Sequence, residues 1–183
     1  GYIGFDCTSD SLHAGSLLPL MLLRNFQRFG HKPIVLLGGG TTLIGDPSGK
    51  DETRKILTED EITSNKVKLM NVFKKFISFD KSKSNHAILI DNYEWLGGLK
   101  YIAFLRNIGS KFSINKMLSL ESIKQRLSRE QNLSFLEFNY SILQAFDFLE
   151  LNKKFNCKVQ FGGSDQWGNI ISGIDLIKKV QKN

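Results

Sequence analysis

The sequence predicts an α/β protein built on a doubly wound parallel sheet, and three observations lead there. Short apolar runs with strand character, Tyr2 to Phe5, Pro33 to Leu37, Ala87 to Ile90 and Cys157 to Phe161, alternate with longer stretches of helical periodicity. The polar and glycine-rich clusters all follow the carboxyl ends of those runs, where open α/β sheets bind their ligands. Finally, 183 residues, 41% of them hydrophobic and 23% charged, suffice for one core without staples.

Taken in order, Leu17 to Phe29 reads as a helix, with apolar residues at 17, 18, 21, 22 and 26 and Gly30 to close it. The second strand runs into Gly38-Gly39-Gly40, and a long loop follows to Leu57. Thr58 and Glu61 have the spacing of a capping box, opening a helix to about Ile77. Beyond the third strand, Leu99 to Ile108 is an amphipathic helix ended by Gly109, and Glu121 to Ser128 is another. Ser134 with Glu137 gives a second capping box before a helix to about Leu149. A final helix spans Asp165 to Lys179. The stretch of about 99–132 carries helices without strands, as a helical insertion into the sheet would.

The net charge of +7 comes from 25 Lys and Arg against 18 Asp and Glu. That balance suits polyanionic partners such as nucleotides or RNA, although lysines such as Lys66, Lys74, Lys83 and Lys178 are dispersed and form no arginine-rich stripe. Cys7 and Cys157 are too few for a disulfide framework and show no metal spacing; they read as inert thiols of a reducing compartment. The longest apolar stretch, Leu17 to Leu23, is broken by Pro19 and far short of a membrane span. No basic segment followed by an apolar one opens the chain, so a cytoplasmic protein without membrane contact is expected. The chain starts at Gly1, directly in strand-like sequence, and reads as a piece of a longer protein.

On the expected ligand edge lie Asp6, Thr8 and His13 after the first strand, and the triple glycine with Asp46 after the second. Asn92 and Trp95 follow the third, and Gly162 to Gln166 the fourth. The segment Gly45-Asp-Pro-Ser-Gly-Lys50 is not a Walker phosphate loop: three residues separate its glycines, and Asp51 follows the lysine. The triple glycine is either a tight turn or a place where backbone approaches a ligand closely. His13 stands at a helix start, where amides and a histidine can donate to phosphate oxygens. Tyr140, Gln144 and Asp147 are spaced i, i+4 and i+7, hence on one helix face, while Phe138, Ile142 and Phe146 face elsewhere. Such polar groups on an apolar helix serve either a small-molecule pocket or a buried network. The Gly162-Gly163-Ser164-Asp165-Gln166 turn can approach a ligand and hold hydroxyls such as those of a ribose.

Four segments taken together are distinctive: Tyr2 to Ser16, Gly45 to Gly49, Phe138 to Asp147, and Gln160-Phe-Gly-Gly-Ser-Asp-Gln-Trp-Gly-Asn169. Over essentially the whole chain they resemble the bacterial-type tyrosyl-tRNA synthetases, of the class I aminoacyl-tRNA synthetases. The resemblance implies a Rossmann-like catalytic nucleotide-binding domain over 1–183, incomplete because the tRNA-binding region lies downstream in the family. It implies ATP-dependent activation of L-tyrosine to tyrosyl-adenylate, release of pyrophosphate, and transfer to tRNA(Tyr). Carried onto matching positions, Tyr2 and Asp147 hydrogen-bond the phenolic hydroxyl, and Asp46, Tyr140 and Gln144 hold the α-ammonium. Gln166 contacts the reacting carboxyl group. Gly4, Asp6, Gly15, Gly163 and Asp165 bind ATP or the adenylate, the last two at the ribose. Thr8 and His13 stabilise the α-phosphate and departing pyrophosphate, with Lys50 and Arg54 from the long loop. Asn92, Trp95 and Gln160 match positions behind those that touch substrate. No protein-bound metal is implied; ATP enters as substrate with Mg as its counter-ion. The family is dimeric, and Phe104, Ile108 and Phe135 are the interface candidates.

The chain departs from the family at two of these positions and at its end. Ser16 stands where the signature's second histidine is usual, and Ile3 where many relatives have cysteine. The chain also stops before the family's Lys-Phe-Gly-Lys-Ser-type loop, so this piece is expected to bind tyrosine but activate it poorly. A tryptophanyl-tRNA synthetase would leave Tyr2 and Asp147 without a hydroxyl to meet. Another nucleotidyltransferase with the same helix start would leave the 140–147 face unexplained, and an RNA-binding relative would not need the pocket.

Overall fold

The computed structural model describes residues 1–45 and 57–181, which fall into two compact units. The first comprises Gly1–Leu43, Leu57–Tyr93 and Lys158–Phe161; the second is built on residues 94–157 and 162–181.

The first unit holds a parallel sheet in the order β1 (Tyr2–Asp6), β2 (Ile34–Gly38), β3 (Ile88–Asp91), with Tyr2 opposite Ile34 and Ile34 opposite Ile88. On the free side of β1, Gln160 makes a single parallel bridge to Tyr2, flanked by bonds from the Tyr2 amide to the Val159 carbonyl (2.9 Å) and from the Phe161 amide to the Tyr2 carbonyl (3.0 Å). The strand order therefore reverses at β1, which makes the sheet doubly wound. The expected fourth strand is shortened to that bridge because Cys157 belongs to the preceding helix end. Its amide donates to the Leu151 carbonyl (3.3 Å) and its carbonyl accepts from Asn152 Nδ2 (2.8 Å).

Helix α1 (Leu17–Arg28) follows a 3-10 turn at Ala14–Ser16 and ends as expected, with Gly30 at φ +86°. Its buried face differs from the sequence reading: Leu20 and Leu23 are buried, whereas Leu17, Leu18 and Leu22 are exposed. Gln27 continues the buried face one turn on, where its amide bonds Ser78 and Asn85 and so fixes the approach to β3. A four-residue helix, α2 (Gly39–Thr42), takes up the glycine run. Helix α3 (Glu59–Phe73) opens with the expected capping box, Glu61 N to Thr58 Oγ1 at 3.2 Å and Thr58 N to Glu61 Oε2 at 2.8 Å. Ile3, Phe5, Cys7, Leu20, Leu23, Val35, Leu37, Leu69 and Phe73 form the continuous core between sheet and helices.

Beyond the sheet follow α4 (Tyr93–Leu96), α5 (Tyr101–Asn107), α6 (Ile114–Leu118) and α7 (Glu121–Ser128), with no strand among them. Next come α8 (Phe135–Phe138) and α9 (Tyr140–Phe155). The single helix expected from Ser134 is interrupted because the Asn139 side chain bonds back to the Phe135 carbonyl (2.6 Å), competing with the helical ladder. It also runs past Leu149 until Asn156 caps it in the left-handed region, at φ +52°. Helix α10 (Trp167–Gln181) packs along α9, where Gly173 lets the two backbones close; a Cβ there would lie 3.0 Å from Phe148 and 3.6 Å from Ala145.

Candidate active site

The period of two along β1 sends Ile3 and Phe5 into the core and sets Tyr2, Gly4 and Asp6 on the opposite face. Tyr2 is buried, Asp6 half-buried and Gly4 exposed, with open space where a side chain would stand. Ile3 lies in the apolar core, which its branched side chain fills. Thr8 and His13 are exposed in the loop after the strand. His13 caps the following turn: its Nδ1 accepts the Gly15 amide at 3.0 Å. A ring nitrogen that accepts carries no proton, so the neutral imidazole is a donor at Nε2. Gly15 keeps that cap possible, because a Cβ would come 2.8 Å from the ring. Ser16 makes no side-chain cap at the start of α1.

The glycine run closes onto the protein's own polar side chains. The Gly39 amide donates to Asp91 Oδ1 (3.1 Å) and the Gly40 amide to Asn92 Oδ1 (2.8 Å). A Cβ on Gly39 would lie 2.3 Å from the Asp91 carboxylate. At the next residue after Gly40, Thr41 Oγ1 donates to Asp6 Oδ1 (2.9 Å) and accepts from Asn92 Nδ2 (3.1 Å). Lys66 of α3 pairs with Asp91 Oδ2 at 2.6 Å. Thr41, Asp91 and Lys66 are not singled out by the sequence. Thr41 directly follows the glycine run and Asp91 directly precedes Asn92, but nothing in the spacing of α3 distinguishes Lys66 from its neighbours. Burial, then the Asp91 and Asp6 carboxylates, push the Cys7 thiol up to about 12. On the other side of β1, Gln160 Oε1 is buried without a hydrogen-bond partner among the described residues.

The second unit carries its own polar cluster, on α9 and the turn into α10. Helix α9 is buried nearly all round, and Tyr140 and Asp147 are buried with it. A buried carboxylate needs donors, and Trp95 supplies one, Nε1 to Asp147 Oδ1 at 2.7 Å. Gln144 Nε2 donates to Gln166 Oε1 (3.1 Å), which also accepts from Asn169 Nδ2 (3.2 Å), while Gln166 Nε2 donates to Asp165 Oδ2 (2.9 Å). Gln144 Oε1 is buried and has no hydrogen-bond partner among the described residues. The Gly163–Gln166 turn is tight: a Cβ on Gly163 would lie 2.4 Å from Asp165 Oδ1. Asn169, which the sequence marks only as the end of a motif, is buried and anchors Gln166.

Asp46, Lys50 and Arg54 lie outside the described residues. Of the interface candidates, Phe135 is 68% exposed, Phe104 packs edge-on against Phe146 (5.3 Å), and Ile108 is buried within its own unit. Among the described residues no cluster of His, Cys, Asp and Glu could hold a metal, and no helix is long and apolar enough to cross a membrane.

Known proteins resemble the chain over its whole length. A tyrosine–tRNA ligase of Anaplasma phagocytophilum is 62% identical over 179 residues, covering 98% of this chain and 42% of that protein. One from Pelagibacter ubique is 62% identical over 182 residues, covering all of this chain and 44% of its own length. The chain thus spans less than half the length of these relatives. The crystal structure of a C-terminally truncated mitochondrial tyrosyl-tRNA synthetase from Aspergillus nidulans superposes with a TM-score of 0.87 at 32% identity, covering 100% of this chain and 53% of that one. The family model described as tRNA synthetases class I (W and Y) matches residues 1–183, and the chain belongs to that family.

Proposed function

We propose that the chain is the amino-acid-activating part of a tyrosine–tRNA ligase: the carboxylate of L-tyrosine attacks the α-phosphorus of ATP, the bond to pyrophosphate breaks, and tyrosyl-adenylate forms. In the intact protein a tRNA(Tyr) hydroxyl then takes the tyrosyl group and AMP leaves. Residues 1–183 belong to the catalytic domain, with a helical insertion at about 99–132. The protein acts in the cytoplasm as a homodimer, with the exposed Phe135 toward the partner while Ile108 and Phe104 pack inside the chain, and its ATP arrives with Mg as counter-ion.

The observation that carries tyrosine rather than tryptophan is the name borne by the relatives at 62% identity, since the family model spans both kinds of synthetase. The buried carboxylate of Asp147, on the α9 face that also bears Tyr140 and Gln144, supplies an acceptor for the phenolic hydroxyl. In this reading Tyr2 and Asp147 bind the phenol, and Asp46, Tyr140 and Gln144 the ammonium, which supplies the donor that Gln144 Oε1 lacks. Gln166 orients the attacking carboxylate, and Gly4, Asp6, Gly15, Gly163 and Asp165 hold the nucleotide. The His13 Nε2 proton, the Thr8 hydroxyl, Lys50 and Arg54 stabilise charge on the phosphates as it builds, which is electrostatic catalysis with no covalent step on the protein. Asn92, Trp95 and Gln160 support these groups from behind.

Calorimetric titration with L-tyrosine, L-phenylalanine and L-tryptophan tests the reading. Tyrosine alone is expected to bind, and Asp147→Ala to abolish the preference over phenylalanine; each buried group left unpaired costs about 1–3 kcal/mol. Tryptophan binding, or unchanged tyrosine affinity in the variant, overturns it.

A further inference from the structure

From the clasp at the end of β3 we infer that Asp91, held by Lys66, is a positioning residue for Asp6 in adenylate binding. The inference rests on the proposed function. Asp91 and Asn92 are consecutive at the strand's end, and they take the consecutive amides of Gly39 and Gly40 as ligands. Asp91 Oδ1 also accepts the Tyr93 amide (2.9 Å), so three fixed donors, counting Lys66 at 2.6 Å, surround one carboxylate. Those bonds set where α2 begins. Two residues into α2, Thr41 Oγ1 reaches Asp6 Oδ1, so the position of Asp6 depends on a helix start that Asp91 holds. The glycines record how close the fit is: a Cβ at 39 would meet Asp91 at 2.3 Å, and one at 38 would meet Asp6 at 2.2 Å.

Lys66 completes the device electrostatically. Asp6 and Asp91 both act on the Cys7 thiol and raise it, while Lys66 opposes them, so the two carboxylates and the ammonium share one neighbourhood. With side chains 24% and 21% exposed, the Lys66–Asp91 pair keeps some contact with water, and its role lies in geometry more than in stability. Without Lys66, two carboxylates flank a single short helix and repel.

The test is calorimetric binding of a non-hydrolysable tyrosyl-adenylate mimic, tyrosyl-sulfamoyl adenosine, alongside L-tyrosine. Asp91→Ala is expected to weaken the mimic about tenfold while tyrosine binding moves less than about threefold. Asp91→Asn, which keeps an acceptor for the Gly39 amide, is expected to recover most of that loss. Combined with Asp6→Ala, Asp91→Ala should add little further loss, because both act through one contact; independent sites would add. Lys66→Met gives the same split by a change outside the clasp, and is the variant to read if Asp91→Ala does not fold. Equal losses for mimic and tyrosine, full additivity, or wild-type mimic binding in both Asp91→Ala and Lys66→Met overturns the inference. Failure of the unaltered chain to bind either ligand instead counts against the proposed function.

Discussion

Asp147 and Trp95 show how much a single buried bond can decide. The carboxylate is 3% exposed, and the indole N–H at 2.7 Å is among its donors. Trp95→Phe keeps the ring's bulk and removes that donor, so it is expected to destabilise the chain by about 1–3 kcal/mol, measured by urea unfolding. It should also weaken tyrosine binding, since the carboxylate turns toward another partner. The polar face Tyr140, Gln144 and Asp147 was legible in the sequence because helix spacing is a local property. Its partner was half legible: Trp95 stood out after a strand, but nothing local paired it with a residue 52 positions away. Asn169 and Lys66 were missed for the same reason, since a hydrogen bond between distant segments leaves no periodic trace.

Among the elements, the junction of α8 and α9 shows both what capping signals convey and where they stop. The Ser134–Glu137 box was readable from spacing, and it forms. The break at Asn139 was not, because an asparagine in the middle of an apolar run is ambiguous until its side chain is seen to bond the Phe135 carbonyl. Helix α1 gives the converse case: its apolar residues are too many for the pattern alone to say which stripe is buried, and packing chooses Leu20 and Leu23. Burial pushes the Glu137 carboxyl up, but the Ser134 hydroxyl and amide and the Arg126 guanidinium (2.9 Å) outweigh it and hold the group below its ordinary 4.5. A depressed carboxylate stabilises the fold fully above its unfolded value and loses that contribution as pH falls through the folded one. Glu137→Gln should therefore be less stable than the unaltered chain at pH 7, by about 1 kcal/mol, and the gap should narrow as pH falls below the ordinary 4.5 and through the lowered folded value. Paired thermal melts across pH 3 to 7 would read it; a gap independent of pH would place the effect in packing.

For the molecule as a whole, the fold class was legible because alternation of strand and helix is global and redundant, so an error at one boundary does not change it. The reversal of strand order at β1 was expected from the fold class, yet its execution by one bridge at Gln160 depends on Cys157 being drawn into the end of α9. Binding is a property of the whole as well. A ligand that binds only the native chain stabilises it by about 2.7 kcal/mol at a hundred times its dissociation constant. Saturating L-tyrosine should therefore raise the melting temperature, and L-phenylalanine at the same concentration should not. An equal shift with both would remove the basis for hydroxyl reading.

The bridge between Tyr2 and Gln160 also bears on how the chain is made. Its two halves lie 158 positions apart, and a ribosome adding about 5–20 residues per second needs on the order of 10–30 seconds to pass from one to the other. Through that interval β1 can pair with β2 but presents its other edge to the cell, a row of open amides and carbonyls on an apolar strand. The arrival of the Val159–Phe161 segment ends that exposure.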